Sequence, residues 1–254
     1  MKLFYRKYGE GQPVIVLHGL FGISDNWVTI GKRLAENFEV FLLDQRNHGQ
    51  SPHSNTFNYY AMVDDLFEFV SDHQLVNPVI IGHSMGGKVA MKFALEYPAK
   101  VDKLIIVDMS IREYPARPTH IGIINTMLSV DFNKITSRKE VDELISKKIK
   151  NVRIKQFVLK NLYHINSTRF GWRINIQAVS DNLENVFEAV DSPYPFEKPA
   201  LFVKAGLSDY IPDEDKEPIR KLFPKAEFVT IEGASHWVHA EKPDELIRVV
   251  SEFI

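Results

Sequence analysis

The sequence contains no cysteine. That absence excludes disulfide bonds, thiolate metal sites and a cysteine nucleophile together. The chain also lacks a run of about 20 apolar residues, which is the length that a membrane-spanning helix requires. Acidic residues number 33 against 31 lysines and arginines, which gives a formal net charge of −2. With this balance and no run of basic residues, there is no electrostatic case for a nucleic-acid partner.

The remaining composition is that of an ordinary globular protein, with 44% hydrophobic and 25% charged residues in a chain of 254. This length suits one large α/β domain, or one domain that carries an insertion. The N-terminus reaches charged residues too early for the apolar segment of a signal peptide. We therefore expect a cytoplasmic protein that does not associate with membranes.

Short apolar runs alternate with amphipathic helical patterns. This alternation of strand and helix patterns predicts an α/β fold with a mostly parallel sheet and helices on both faces. At the start, residues 2–8 and the turn Gly9-Glu10-Gly11 predict a β-hairpin. From about 112 to 196 the strand patterns stop and the pattern is mostly helical. We expect residues 1–111 and 197–254 to form the core, with 112–196 inserted as a helical cap over the carboxyl ends of the strands.

The pentapeptide Gly82-His83-Ser84-Met85-Gly86 joins an apolar strand pattern to a helical pattern. A serine on such a sharp turn is held out of the sheet in a strained, exposed position. The flanking glycines allow the strand and the helix to pass closely, because they have no Cβ atom. We therefore predict that Ser84 is a nucleophile on an elbow between strand and helix.

A serine hydroxyl is a weak nucleophile and needs a base at the same edge of the sheet. His236 follows the last predicted strand and is our candidate for that base, whereas His239 is expected at the surface or at the edge of the core. The base in turn needs a carboxylate to fix its tautomer. Asp108 and Asp209 both follow strands and both keep the chain order serine, aspartate, histidine. Position in the sequence alone favours Asp209.

An oxyanion that develops during attack on a carbonyl needs two N–H donors. Met85, directly after the serine, is expected to supply one, and the loop after the first buried strand the other, from Leu20 or Phe21. His18 and His48 are expected to form hydrogen bonds with the backbone. No pair of histidines has the spacing of metal ligands, so we expect neither a metal nor any other cofactor.

Several segments together carry a family resemblance that spans nearly the whole chain. They are His18-Gly19-Leu20-Phe21-Gly22, Asp44-x-Arg46-Asn47-His48-Gly49-x-Ser51, Gly82-His83-Ser84-Met85-Gly86-Gly87-Lys88, Trp172-Arg173-x-Asn175 and Gly233-x-x-His236-Trp237-Val238-His239-Ala240-Glu241-Lys242-Pro243. They resemble α/β-hydrolases, specifically the small bacterial carboxylesterases of the YbfF type and their mammalian abhydrolase-domain-11 relatives. The resemblance implies hydrolysis of small acyl esters or thioesters beneath a compact helical cap. It also implies that the acid is Asp108.

The sequence therefore predicts a serine carboxylesterase that acts on short-chain acyl esters through an acyl-enzyme. The alternatives are the same triad used for carbon–carbon bond hydrolysis or a lyase step, and a non-catalytic member that binds a small ligand. In the cap, Arg173 is a candidate to bind a substrate carboxylate or phosphate, and Trp172 to line the acyl pocket. Packing within the cap is the alternative for both. The expected partner is a small-molecule ester, and the sequence leaves open a monomer or a homodimer.

Overall fold

The computed structural model describes residues 1–167 and 169–254. Within them the chain forms nine strands and ten α-helices. The strands are β1 (Tyr5–Tyr8), β2 (Pro13–Leu17), β3 (Glu39–Leu43), β4 (Val79–His83), β5 (Leu104–Val107), β6 (Leu162–His164), β7 (Phe170–Trp172), β8 (Ala200–Ala205) and β9 (Ala226–Ile231). The α-helices are α1 (Val28–Leu34), α2 (Tyr59–Asp72), α3 (Met85–Glu96), α4 (Pro118–Leu128), α5 (Arg138–Lys148), α6 (Val152–Leu159), α7 (Ile176–Asp181), α8 (Lys216–Leu222), α9 (Val238–Glu241) and α10 (Pro243–Phe253).

The main sheet has seven strands in the order β1-β3-β2-β4-β5-β8-β9. All neighbours pair in parallel except β1, which runs antiparallel to β3. The predicted α/β fold with a mostly parallel sheet is therefore confirmed. The predicted N-terminal hairpin is wrong, because β2 is paired on both sides by β3 and β4 and β1 therefore pairs with the free edge of β3.

The central strands are buried on both faces because helices cover each side of the sheet. Every residue of β4 and β5 is buried, which explains why these strands are continuous apolar runs instead of alternating patterns. One face packs against α1 and α10, through residues such as Leu34 and Ile247. The other face packs against α2 and α3, through residues such as Leu66 and Val89. This arrangement fixes the strand ends that carry the candidate site.

Between β5 and β8 the chain leaves the main sheet and forms the helices α4 to α7. Helix α5 begins as the sequence predicts, since Ser137 caps it by accepting a hydrogen bond from the Glu140 N–H. The same segment also contains an antiparallel pair, β6 with β7, that the sequence analysis did not predict. Strands of three residues are too short to show a periodic pattern. Of the helices in the described residues, none combines the length and the apolar character needed to cross a bilayer.

Candidate active site

Ser84 lies on a sharp turn between β4 and α3, with φ 53° and ψ −120°. This left-handed backbone is strained for a residue with a side chain. The neighbouring glycines make the turn possible, because a Cβ atom on Gly82 would lie 2.3 Å from the carbonyl oxygen of Gly86. A Cβ atom on Gly86 would lie 2.4 Å from the carbonyl oxygen of Leu17. The structure thus has the geometry of a nucleophile elbow at this position.

The imidazole of His236 is held by a buried carboxylate. Its Nδ1 lies 2.8 Å from Oδ2 of Asp108, and Asp108 itself is completely buried at the end of β5. The other carboxylate oxygen, Oδ1, accepts a hydrogen bond from the Ala205 N–H at 3.0 Å. With Nδ1–H donated to the carboxylate, Nε2 of a neutral imidazole is left as a proton acceptor.

Asp209, the other candidate acid, has a different partner. It is exposed on the loop after β8, and its Oδ1 lies 2.7 Å from Nη2 of Arg117. The hydrogen bond from this guanidinium holds the pKa of the Asp209 carboxyl below its usual value. The structure therefore brings Asp108, and not Asp209, into hydrogen-bond contact with His236.

A cavity of about 310 Å³ contains both Ser84 and His236 in its wall, and we call it the inner cavity. The loop after β2 contributes Leu20 and Phe21 to this wall. The segment inserted between β5 and β8 closes another side of it. That side is formed by Arg117, Thr119, His120, Ile123, Ile154 and Phe157.

The aromatic ring of Tyr210 stacks on the imidazole of His236, with centroids 4.1 Å apart and an interplanar angle of 20°. The guanidinium of Arg117 lies over the ring of Tyr210, with its Cζ 4.2 Å from the ring centroid. Arg117 therefore connects the inserted segment to the ring that packs against His236. Sequence reasoning missed Tyr210, and only its place beside Asp209 in the loop after β8 could have drawn attention to it.

The N–H groups of the candidate oxyanion donors differ in whether they already donate a hydrogen bond within the protein. The N–H of Phe21 is donated to Nε2 of His48 at 3.3 Å, so it is already engaged. Leu20, beside it, also lies in the wall of the inner cavity. Met85 is the first residue of α3, where a helix leaves its N–H groups without intrahelical partners. The geometry favours Leu20 over Phe21 as the second donor.

Two further histidines hold the loops around the cavity. His18 donates Nδ1–H to the carbonyl of Gly19 at 2.8 Å and accepts from the N–H of Gln45 at 3.0 Å. His48 donates to the carbonyl of Arg46 at 2.9 Å. Burial lowers the pKa of His18 to about 4 and that of His48 to about 3, so both are neutral at pH 7. The prediction that these two residues bond to the backbone is confirmed.

His239 is buried and not at the surface, and its ring stacks on Trp27 with centroids 4.9 Å apart. Burial, followed by the nearby His236 and Lys160, lowers the pKa of His239 to about 3. His83, inside the elbow, donates Nε2–H to the backbone carbonyl of His236 at 2.9 Å. This bond ties the loop of His236 directly to the elbow.

Trp172 and Arg173 do not belong to the wall of the inner cavity, so of the two alternatives the structure favours packing within the inserted segment over substrate binding. The Trp172 indole N–H donates to the carbonyl of Met127 at 3.1 Å, and its ring packs edge-to-face on Phe132. The Arg173 guanidinium lies over the ring of Tyr163. Both side chains pack within the inserted segment, because β7 and the residue after it face α4 and β6 and not the strand ends.

Comparison with known proteins identifies relatives along nearly the whole chain. The model of the α/β-hydrolase fold family matches residues 12–134. The sn-1-specific diacylglycerol lipase ABHD11 of Danio rerio is 37% identical over 252 residues, which cover 97% of this chain and 79% of that protein. Esterase YbfF of Escherichia coli (strain K12) is 31% identical over 245 residues, which cover 96% of this chain and 94% of that protein.

A solved structure, described as a marine microorganism esterase, has a TM-score of 0.97 and 43% sequence identity. The match covers 100% of this chain and 99% of that one. Both curated relatives are more than 30% identical to this chain and cover nearly all of it. The chain therefore belongs to the α/β-hydrolase family, among the YbfF-like and ABHD11-like members.

Proposed function

We propose that the protein is a serine carboxylesterase that hydrolyses short-chain acyl esters through an acyl-enzyme. The coarse activity, hydrolysis of an ester bond, follows from the family and from relatives named as esterases and lipases. The finer assignment rests on one observation above all. His236, oriented by the 2.8 Å contact with buried Asp108, shares the inner cavity with Ser84.

In the proposed mechanism, Oγ of Ser84 attacks the ester carbonyl, and Nε2 of His236 takes the proton of the Ser84 hydroxyl. Asp108 keeps the imidazole in the required tautomer and stabilises the imidazolium that forms. His236 then returns the proton to the departing alcohol and leaves Ser84 acylated. In the second half of the reaction, His236 takes a proton from a water molecule, which attacks the acyl-enzyme. The acid is released and the proton returns to Ser84.

The N–H groups of Leu20 and Met85 are the proposed oxyanion donors. Leu20 lies in the cavity wall, and Met85 begins the helix whose N-terminus adjoins Ser84. Negative charge on the former carbonyl oxygen is favoured there by the free N–H groups and by the helix dipole. Phe21 is not proposed, because its N–H is already donated to His48.

Two features support short acyl groups and a capping role for residues 112–196. At about 310 Å³, the inner cavity lies at the small end of the range for ligand sites. One side of it is formed by the inserted segment, with Ile123 and Phe157 supplying apolar surface. We propose that this segment is the cap of a core made of residues 1–111 and 197–254, and that it limits the length of the acyl chain.

The test is hydrolysis of p-nitrophenyl esters by the wild type and by Ser84→Ala. We expect the wild type to prefer acetate and butyrate to longer chains, and Ser84→Ala to lose activity by at least about 10³-fold, because the nucleophile is gone. Undiminished hydrolysis by Ser84→Ala would refute the proposal. Turnover of a diketone by a wild type that leaves esters intact would favour carbon–carbon hydrolysis.

A further inference from the structure

A second, larger cavity of about 850 Å³ adjoins the inner cavity, and we call it the outer cavity. Ser235 and Trp237, on either side of His236 in the chain, belong to the walls of both. At the boundary, Trp237 meets Phe157 edge-to-face with ring centroids 4.3 Å apart. The two cavities therefore adjoin beside His236, the residue that protonates the departing alcohol in the proposed reaction.

The outer cavity is positively charged, although the whole chain has a net charge of −2. Its wall contains the cations Arg153, Lys160 and Lys242 and a single carboxylate, that of Glu241. Arg153 and Glu241 form an ion pair and neutralise each other. Within the described part of the chain, neither Lys160 nor Lys242 has a carboxylate partner. Two positive charges thus remain without compensation around one cavity.

A buried polar atom at the junction also lacks a partner. His239 lies in the walls of both cavities and is only 7% exposed. No hydrogen-bond partner for its Nδ1 is found in the part of the chain that the structure describes. Because buried polar atoms are rarely left unpaired, an unpaired nitrogen on a residue that lines both cavities is a reason to look for a ligand at this junction.

We propose that the outer cavity binds an anionic group, a carboxylate or a phosphate, on the alcohol portion of the ester, through Lys160 and Lys242. This inference rests on the proposed esterase function. A general acid must lie within hydrogen-bond reach of the oxygen that it protonates, so the alcohol portion lies on the His236 side. The acyl portion then occupies the inner cavity, near Leu20. His239 Nδ1 is placed to bond to the alcohol portion as it passes between the cavities.

The experiment compares two acetyl esters that differ in the charge of the alcohol, 4-acetoxybenzoate and 4-acetoxybenzamide. The readout is the ratio of kcat/KM for the anionic ester to kcat/KM for the neutral one. The test variant is Lys160→Gln/Lys242→Gln. The control is Lys147→Gln/Lys148→Gln, which removes the same net charge from exposed positions of α5 that lie outside both cavities.

We expect the ratio to fall about tenfold in Lys160→Gln/Lys242→Gln, since each partly exposed charge contributes modestly, and to stay within about twofold in the control. Added salt should lower the wild-type ratio by screening the two lysines. An unchanged ratio in the test variant, or an equal fall in the control, would overturn the inference.

Failure of the inference and failure of the esterase function give different results. If the inference alone fails, the neutral ester is still hydrolysed by the wild type and by both double lysine variants. A binding measurement does not depend on turnover: calorimetry of 4-acetoxybenzoate with Ser84→Ala should show weaker binding when the two lysines are also replaced. Equal binding with and without the lysines would count against the anionic site whatever the catalytic activity.

Discussion

Asp108 combines complete burial, a left-handed backbone conformation and two hydrogen bonds in one residue. Its φ of 49° turns the chain sharply after β5, and its carboxylate is shared between His236 and the N–H of Ala205. Strain of this kind persists where the surrounding structure holds it, and it is often found at functional sites. Asp209, by contrast, extends into solvent towards Arg117.

We predict that Asp108→Asn lowers kcat for p-nitrophenyl acetate by about 10³- to 10⁴-fold, because an amide can hold the imidazole in the wrong tautomer. The matched control is Asp209→Asn, for which we expect kcat within about threefold of the wild type. Steady-state kinetics at pH 8 measure both. The reverse order of losses would show that the acid has been assigned to the wrong residue.

The ring of Tyr210 packs on one face of His236 and limits the tilt of the imidazole. Tyr210→Leu should lower kcat about tenfold with little change in KM, because the imidazole loses a positioning contact while the cavity wall is kept apolar. Tyr210→Phe retains the ring and should behave as the wild type. Equal losses in the two variants would mean that the hydroxyl, and not the stacked ring, is important.

At the level of elements, Lys88 joins α3 to both ends of the inserted segment. Its ammonium is buried and donates to the carbonyls of Arg112 at 2.7 Å, of Phe187 at 3.1 Å and of Glu188. The two ends of the segment are also joined to each other, by the N–H of Val190 donating to the carbonyl of Ile111. Burial lowers the pKa of Lys88 to about 7. One side chain thus fixes the base of the proposed cap.

Replacement of Lys88 by methionine keeps the length of the side chain but removes the side-chain donor from the part-buried carbonyls of Arg112 and Glu188. The carbonyl of Phe187 still accepts from the Tyr114 N–H. We expect Lys88→Met to lower the free energy of unfolding by about 1–3 kcal/mol, as is typical when hydrogen bonds to a charged group are lost. Urea denaturation would measure the change. Lys148→Met, at an exposed position on α5, should change the free energy by less than about 0.5 kcal/mol. Equal stability of the two variants would show that Lys88 does not hold the two ends of the inserted segment together.

The sequence predicted elements where the pattern is long and local, and it failed where pairing is set by distant residues. The run Val79-Ile80-Ile81 was identifiable because burial on both faces makes a strand continuously apolar, and the helix after it because its buried residues recur with a helical period. The pairing of β1 with β3, and the short strands β6 and β7, depend on neighbours that no local pattern specifies. The three carbonyls that bind Lys88 could not be foreseen for the same reason, since they lie 24 to 100 residues away.

The same distinction applies to the candidate site. Ser84 and His236 each follow an apolar run that ends at the same edge of the sheet. The local sequence pattern was therefore enough to predict that the two residues lie close together, and both are in the wall of the inner cavity. Asp108 and Asp209 both satisfied that criterion, and only the three-dimensional contact with His236 separates them. For Trp172 and Arg173 no sequence pattern indicates where the side chains point, and their partners lie within the inserted segment.

At the scale of the whole molecule, several buried histidines make stability depend on pH. Burial lowers the pKa of His18 to about 4 and lowers the pKa of His48 and of His239 to about 3, against an ordinary value near 6.5. Below pH 6.5 the unfolded chain binds protons at these positions and the folded chain does not. The contribution of the neutral histidines is therefore fully present above pH 6.5 and is lost as the pH falls towards about 4 for His18 and about 3 for His48 and His239.

We predict that the free energy of unfolding decreases between pH 6.5 and pH 4.5, with each of these histidines contributing about 1 kcal/mol per pH unit. Urea denaturation at a series of pH values gives the slope. His239→Gln removes one titrating group and should make the slope shallower. A free energy that stays constant or rises on acidification would show that the histidines are not held neutral.

Covalent labelling tests directly whether Ser84 is the activated nucleophile. Treatment with a fluorophosphonate followed by peptide mass spectrometry should find one adduct per chain, on Ser84, with loss of ester hydrolysis in proportion to labelling. His236→Ala should greatly slow the labelling, because the serine then lacks its base. An adduct at another residue, or full ester hydrolysis by a chain labelled at Ser84, would contradict the account.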